Sequence, residues 1–550
     1  MSHVIDILFI TQIQRPRDAG APDVYRPLRF ELQGQPASLP ALRLLARGVD
    51  PAAAQQELVR QQVAAGIPPV LTPFYLEDFM ARRGIALTSV PCLETGWEDV
   101  RAALAQGVGI IALSTTWLPG SLGAETVRAA AVRLRALAPG VLLVAGGVAV
   151  RKGLRARELL AAGQLPGVTQ EQLARDYLLI DARQDSAFDA LAVGEGSEAA
   201  LADLALRVRE GREYRDVPNL VFPSADGYAS SPTVADQSDV DGETVDWRRH
   251  RDRIRFFEAP VRTGVGCPFR CEFCDFSGLY RQRSRSEASL VAELRTLAAA
   301  LPAPRRVFFT DDNIALSRQR LIRFAQALRA ADLGLAWRAF CRADAIDDEV
   351  AGLLRESGCV ECLLGLESGD PEILRNMNKR LDLDRAREAI ARLDREGIRT
   401  QCTFVVGFPG ECARSVERTA QFISALPSGA AARAFHRYYL FRFELAPLCP
   451  ASSPESRARF GLTGLGEQWA HRTMNVDEAR EAVREIFLRV QGPTHMYLEP
   501  IPTEWPAAAT RRVLEFREAL QKDRVQGRAR PDGLPQLLAC VQAAERDAAR

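Results

Sequence analysis

Apolar residues along this chain fall into short blocks separated by longer amphipathic stretches. Residues 4–10 form a block rich in β-branched side chains, a helical pattern runs around residues 74–83, and a second strand follows over 85–91. Residues 109–114, 141–145 and 188–193 read as further strands, with a helix near 124–137 between the first two. Strands that are apolar on both faces and alternate with helices predict a parallel sheet covered by helices, a doubly wound α/β domain over residues 1–225. A stretch rich in Ser, Asp, Gly and Pro breaks the pattern and predicts a linker over 226–255. Strand-like blocks then recur at 260–264, 306–310, 336–341, 359–366, 400–406 and 438–445, each followed by a helical pattern. Six such units predict a partial barrel of (β/α)6 type over 256–460, and charged helices with Pro-containing breaks fill 461–550.

Composition narrows the class. Lys and Arg number 71 against 70 Asp and Glu, so no overall field favours nucleic acid or an anionic membrane. Hydrophobic residues at 47% and charged residues at 26% are ordinary globular usage. The longest uncharged apolar run, residues 138–150, is too short to span a bilayer, and the N-terminal stretch lacks a cationic leader. A cytoplasmic protein without a membrane span is expected. Eleven cysteines do not form a disulfide framework in so long a chain, and a reducing compartment leaves thiolates free for metal.

Three of those cysteines stand apart. Cys267, Cys271 and Cys274 are spaced C-x3-C-x2-C directly after a predicted strand. Three thiolates on one loop suit an iron–sulfur cluster, whose fourth iron then stays open. Structural zinc is the rival and wants four ligands, commonly as paired C-x2-C units. Cys359 and Cys362 are the obvious second pair, but three residues apart on a strand they are expected to point to opposite faces. His250 is outside any zinc-type spacing.

The predicted strand ends carry the remaining chemistry. In the first domain they read Ser114-Thr115-Thr116, Gly146-Gly147 and Gly194-Glu195-Gly196, small or hydroxyl residues that let a large ligand approach backbone amides. Taken singly, each is also an ordinary tight turn. The loop after the first strand begins Thr11-Gln12 and has no G-x-G-x-x-G, so a nicotinamide dinucleotide site lacks support. In the second half the ends read Phe308-Phe309-Thr310-Asp311-Asp312-Asn313, Gly365-Leu366-Glu367-Ser368-Gly369 and Val406-Gly407-Phe408-Pro409-Gly410-Glu411.

With Phe273 before the last cysteine and these three motifs in this order, the second half resembles the radical S-adenosylmethionine (radical SAM) superfamily. The first domain resembles the Rossmann-like cobalamin-binding domain of its cobalamin-dependent branch, the class B radical SAM methyltransferases. That resemblance implies that Cys267, Cys271 and Cys274 hold a [4Fe–4S] cluster whose fourth iron chelates SAM. It implies that Phe273 lies against adenine and that Asp312, Asn313, Glu367 and Ser368 contact SAM, with Arg342 or Arg338 as partners for its carboxylate. Thr11, Gln12, Ser114, Thr115, Thr116, Gly146, Gly147, Gly194, Glu195 and Gly196 would then contact cobalamin. The D-x-H-x-x-G motif that supplies a lower cobalt ligand is absent, and the only histidine of this domain is His3.

The implied activity is methyl transfer from SAM through methylcobalamin to an unactivated carbon, less often phosphorus, of a small natural-product substrate. An external one-electron donor of flavodoxin or ferredoxin type is implied as well. Ring contraction or cyclisation without net methylation, and nonradical methylation of an aromatic carbon such as indole, are alternatives within the branch. A cobalamin and iron–sulfur sensor or electron carrier is the alternative of a different class. Tyr438 and His471 are candidates for moving a proton, with Tyr439, Trp469 and Tyr497 as further substrate contacts; each also reads as a packed aromatic or a satisfied histidine.

Overall fold

The computed structural model describes residues 4–13, 31–32, 35–36, 38–50, 52–54, 70–116, 123–254, 258–276, 279–302, 305–496, 501, 505–528 and 530–549. His3, Tyr497 and residues 14–16 lie outside that set. The first sheet contains β1 (Ile5–Ile10), β2 (Leu87–Val90), β3 (Val108–Ser114), β4 (Leu142–Gly146), β5 (Ala190–Ala192), β6 (Leu220–Ser224) and β7 (Gly227–Ser230). Their order is β2-β1-β3-β4-β5-β6-β7. The first five are parallel, with Ile7 opposite both Leu87 and Ile110, and β6 and β7 add an antiparallel hairpin. Every residue of β1 and β3 is buried, which is why both read as largely apolar runs, broken in β1 only by the buried Asp6. The chain leaves β1 toward β2 and returns to β3 on the other side, so the topological switch point lies between β1 and β3, beyond their carboxyl ends.

The hairpin is a correction to the five strands expected. Its half-polar strand β7 falls inside the stretch expected as linker, where Asp, Gly and Ser mask its pairing. The same stretch holds a 3-10 helix, Trp247–Arg253, that is firmly packed. Trp247 is fully buried, stacks at 5.4 Å on Phe74 and donates from Nε1 to Glu293 at 3.2 Å. One continuous apolar core therefore runs from Ile7 and Phe74 through Trp247 to Val261 and Phe309.

The second sheet contains β8 (Ala259–Val261), β9 (Arg305–Phe309), β10 (Leu335–Cys341), β11 (Cys359–Glu367), β12 (Arg399–Val406), β13 (His436–Arg442) and β14 (Thr494–His495), all parallel and in chain order. The six expected units are present, and a short seventh strand, β14, arrives from the C-terminal region. The C-terminal helices Val476–Arg489, Ala507–Val525 and Gly533–Ala548 follow the expected charged pattern. The last two also enclose the N-terminal helix Leu39–Ala46, which Arg43 and Arg47 tie to Glu545 at 2.5 and 2.6 Å. Among the described residues no helix is long and apolar enough to cross a membrane.

On β14, His495 sits in a cage of Tyr438, Tyr439 and Phe487. Burial, reinforced by the nearby charges of Lys522 and Arg517, pushes its imidazole down to about 3. The folded state holds it neutral, so its contribution is complete above the unfolded value of 6.5 and is lost as pH falls toward 3. Denaturant midpoints should show wild type losing more stability between pH 7.5 and pH 5 than His495→Phe, which keeps the aromatic packing and removes the titration. Equal losses would contradict this account.

Candidate functional site

The cysteine loop is closed at its base by a two-rung antiparallel ladder, Gly264 opposite Ser284 and Val265 opposite Arg283. Gly266 comes next with φ +71°, and a Cβ there would lie 2.7 Å from the Tyr280 carbonyl oxygen, so only glycine closes the loop. Residues beyond Gly266 are pinned by the second half of the chain. Glu272 donates its N–H to Met377 O at 2.9 Å and accepts from Ala451 N at 2.9 Å, while Asn378 Nδ2 donates to Arg270 O at 2.8 Å. Cys271 is buried, and Cys267 and Cys274 are half-buried. Burial pushes all three thiols up, Cys274 to about 12, whereas Lys379 and Arg342 pull Cys267 and Cys271 down. Ligation of a metal cation is the event that makes such enclosed thiolates favourable. Among the described residues no three His, Cys, Asp or Glu side chains converge on one metal-ion position.

The Cys359–Cys362 pair corrects a sequence expectation. Their sulfurs are 3.8 Å apart, on one face. Trp337 pairs with Cys359 and Arg338 with Glu361, so Val360 is an extra residue in a β-bulge, and the bulge restores the two cysteines to the same parity.

At the end of β9, Asp311 accepts from Thr263 N at 2.7 Å and Thr263 Oγ1 at 2.9 Å, tying this strand to the start of the cysteine loop. Asp311 and Asp312 both line a cavity of about 190 Å³ shared with Tyr75, Glu198, Arg262, Gly266 and Tyr280. Enclosure by the cavity walls, with the Asp311 charge, raises the Asp312 carboxyl. Asn313 is turned away, its amide closing a turn with Ala315 N at 3.0 Å and Ala315 O at 3.2 Å. At the end of β11, Glu367 has φ +69°, an uncommon conformation for a residue with a side chain, and its carboxylate pairs with the buried Lys379 ammonium at 2.9 Å. Lys379 in turn lies 5.9 Å from the Phe273 ring centre. Ser368 is fully buried and accepts from Asp370 N at 3.1 Å, a turn role.

Arg342 is occupied by structure: it pairs with Asp344 at 2.8 Å, donates to the carbonyls of Lys379 and Arg380, and lies 4.2 Å from the Phe269 ring centre. Arg338 pairs with Glu258 at 2.7 Å at the amino end of the strands, far from the loops. Neither suits a free carboxylate partner. Tyr438 is fully buried on the face covered by the helix Ala507–Val525, its hydroxyl 3.4 Å from Glu518 and its ring on His495. It is a packing residue, not a proton carrier. His471 donates from Nε2 to Gly407 O at 3.0 Å, meets Thr473 through Nδ1 and lies parallel to Trp469. It shapes the end of β12, where Glu411 caps the Gly407 N–H, and burial lowers its imidazole. Lys379 and Glu411 were missed by sequence reasoning; a lysine in so arginine-rich a chain was the available signal for the first.

In the first sheet, Thr11 and Gln12 come directly after β1 at the switch point and are almost wholly buried. Thr11 Oγ1 and Gln12 Oε1 nevertheless have no hydrogen-bond partner among the described residues. Two orphaned polar atoms at a strand end fit a polar group brought by a ligand. Ser114 and Thr115 lie at the end of β3; Thr115 donates from Oγ1 to Gly146 O at 3.0 Å, and Thr116 is exposed. Gly147 has φ +117°, and a Cβ there would lie 2.7 Å from Thr116 Oγ1, so the two loops touch. Gly194 and Gly196 admit no Cβ against Asn219 and Asp236, and Glu195 reaches across to the cysteine loop, accepting from Arg281 N at 3.1 Å.

Residues 261–423 match the radical SAM superfamily model, and this part of the chain belongs to that superfamily. Over about four fifths of its length the fold is similar to that of two solved radical SAM proteins. The structure of the radical SAM methyltransferase TsrM from Kitasatospora setae, with cobalamin and a [4Fe–4S] cluster bound, aligns with a TM-score of 0.52 at 17% identity, covering 82% of this chain and 77% of that one. The cobalamin-dependent SAM radical enzyme OxsB aligns with a TM-score of 0.52 at 13% identity, covering 76% and 52%. Among curated sequences, an uncharacterized methyltransferase of Pyrococcus horikoshii is 26% identical over 253 residues, 44% of this chain and 54% of the relative. The bacteriochlorophyllide d C-12(1)-methyltransferase of Chlorobaculum tepidum is 31% identical over 169 residues, 30% and 37% respectively. The chain thus spans about half or less of the length of these curated relatives.

Gly266→Ala should lower iron incorporation on anaerobic reconstitution while the far-ultraviolet spectrum stays that of the wild type, because a side chain at positive φ costs about 1–2 kcal/mol before its clash with Tyr280 is counted. Unchanged iron content would show that the loop tolerates a different closure.

Proposed function

We propose that this chain is a cobalamin-dependent radical SAM methyltransferase acting on an unactivated carbon of a small natural-product substrate. The observation that supports it most is the meeting of two incomplete sites. A three-thiol loop at the carboxyl end of one parallel sheet lies against strand-end loops of another, whose Thr11 and Gln12 hold polar atoms unpartnered among the described residues. Cys267, Cys271 and Cys274 would hold the cluster. Phe273 and Glu367 border the place where SAM would meet it, and Asp312 faces the adjoining cavity. Thr11, Gln12, Ser114, Thr115, Gly146, Gly147, Gly194, Glu195 and Gly196 would border cobalamin. When bound, these groups supply one-electron cleavage of SAM and a carrier for its methyl group, with reducing electrons from a flavodoxin- or ferredoxin-type donor.

The chain's own residues fix orientation and exclude water. Asp311 locks the cysteine loop to β9, leaving Asp312 as the carboxyl that faces solvent in the cavity. Lys379 neutralises Glu367 beside Cys271, so an incoming cluster and SAM meet a balanced pair rather than a lone charge. His471 and Glu411 hold the backbone at Gly407 instead of exchanging protons with substrate.

Anaerobic reconstitution with iron, sulfide and hydroxocobalamin tests the reading. About four irons and one cobalamin per chain are expected, with S-adenosylhomocysteine and 5′-deoxyadenosine forming together under strong reduction. The triple variant Cys267→Ala/Cys271→Ala/Cys274→Ala should bind no cluster and yield neither product. S-adenosylhomocysteine alone would replace the proposal with nonradical methylation, 5′-deoxyadenosine alone with a nonmethylating reaction, and binding without turnover with a sensor. Thr11→Val/Gln12→Leu should weaken cobalamin retention and leave iron content unchanged; loss of iron instead would contradict the assignment of these residues.

A further inference from the structure

The cysteine loop is gripped from the first sheet by three side chains, two of which, Arg151 and Lys152, have no part in the proposed chemistry. Lys152 Nζ lies 2.6 Å from Asp275 Oδ2, one residue past Cys274, and 3.8 Å from Glu444. Arg151, its neighbour, donates to the Leu279 carbonyl and lies over the Tyr280 ring. Both belong to the helix Val148–Ala161, whose N-cap is Gly147. Glu195 adds the third grip, on Arg281 N. Both glycine-bearing strand-end loops are thereby fastened to the cysteine loop, at Asp275, Leu279, Tyr280 and Arg281.

The Lys152–Asp275 contact is well enclosed, with side-chain exposures of 23% and 14%. Its charges are favourable there chiefly as a pair, since removing one leaves the other desolvated and uncompensated. Asp275 Oδ1 is buried and has no hydrogen-bond partner among the described residues, and Lys152 engages this carboxylate through its other oxygen. If the cysteine loop is unformed, the start of the helix after Gly146-Gly147 loses its counter-charge. If that helix start is displaced, Asp275 loses its only lysine. Lys152 is one of three lysines in the chain, against 68 arginines, so the contact is not a product of the chain's arginine bias.

We propose that Lys152 is a positioning residue that couples the two cofactor loops. A cluster on Cys267, Cys271 and Cys274 then raises the affinity of the first sheet for cobalamin, and cobalamin stabilises the clustered loop to the same degree. The proposal rests on the methyltransferase function proposed for the chain.

The test uses the full chain, with hydroxocobalamin as probe, and compares its dissociation constant for cluster-loaded and chelator-stripped protein. Wild type should bind about tenfold tighter when loaded, a coupling of ordinary allosteric size. Lys152→Met should retain its iron and bring the ratio close to one. Lys152→Arg should keep most of the ratio, and Lys152→Met/Asp275→Asn should be no worse than Lys152→Met, because the two residues act as one unit. A ratio near one in wild type, or an unchanged ratio in Lys152→Met, overturns the coupling while leaving the proposed function intact. No cobalamin binding by loaded wild type overturns both.

Discussion

Everything proposed for this protein depends on holding three thiols, one buried and two half-buried, open on a loop, and a loop does not do that alone. Cys267, Cys271 and Cys274 lie between a glycine at φ +71° and a two-rung ladder, and the enclosure that keeps water out also keeps the thiols neutral. The loop is therefore braced on both sides. Met377 and Ala451 hold its first half through their backbones and Asn378 through its side-chain amide, and Lys152, Arg151 and Glu195 hold its second half from the other sheet. The continuous core through Phe74, Trp247 and Phe309 is what keeps those two supports in register.

At the opposite end of the second sheet, charge does the bracing. Burial alone would raise the Glu361 carboxyl, but Arg437, Arg399 and Arg338 outweigh it and hold it at about 2. Arg437 pairs with it at 2.6 Å, and Arg338 bridges toward Glu258. Buried ion pairs of this kind contribute little net stability, since desolvation offsets attraction, yet each is costly to break. Their place at the amino ends of the strands closes the partial barrel with polar groups that pair among themselves.

Much of this architecture was legible in the sequence because it rests on local periodicity. The apolar runs of β1 and β3 and the six strand blocks of the second half needed no knowledge of partners. What escaped was whatever depends on a distant partner or on one inserted residue. Val360 as a bulge reversed the expected facing of Cys359 and Cys362, and no composition rule marks it. Strand β7 and Trp247 were hidden because polar neighbours outnumber the few apolar residues that pack. Tyr438 looked like chemistry because a tyrosine at a strand end resembles chemistry, and only its pairing with Glu518 and His495 shows which face it occupies.

The strand-end motifs show why residue-by-residue transfer from a family pattern assigns too much. In each motif one polar residue builds the turn and its neighbour serves the site. Asp311 lines the cavity but spends its carboxylate on Thr263, and Asn313 binds Ala315, while Asp312 lines the same cavity beside them; Ser368 closes the turn to Asp370, leaving Glu367 for Lys379. The division comes from geometry, since successive side chains of an extended segment point to opposite sides and every buried polar group needs a partner. A turn builder and a site residue are then expected to be equally intolerant of change, for different reasons. Replacing Asp311 would loosen the cysteine loop, whereas replacing Asp312 would leave that loop closed and alter only what the cavity presents. Intolerance to substitution alone therefore cannot identify which residues of these motifs touch a ligand, and the hydrogen-bond partner of each side chain can.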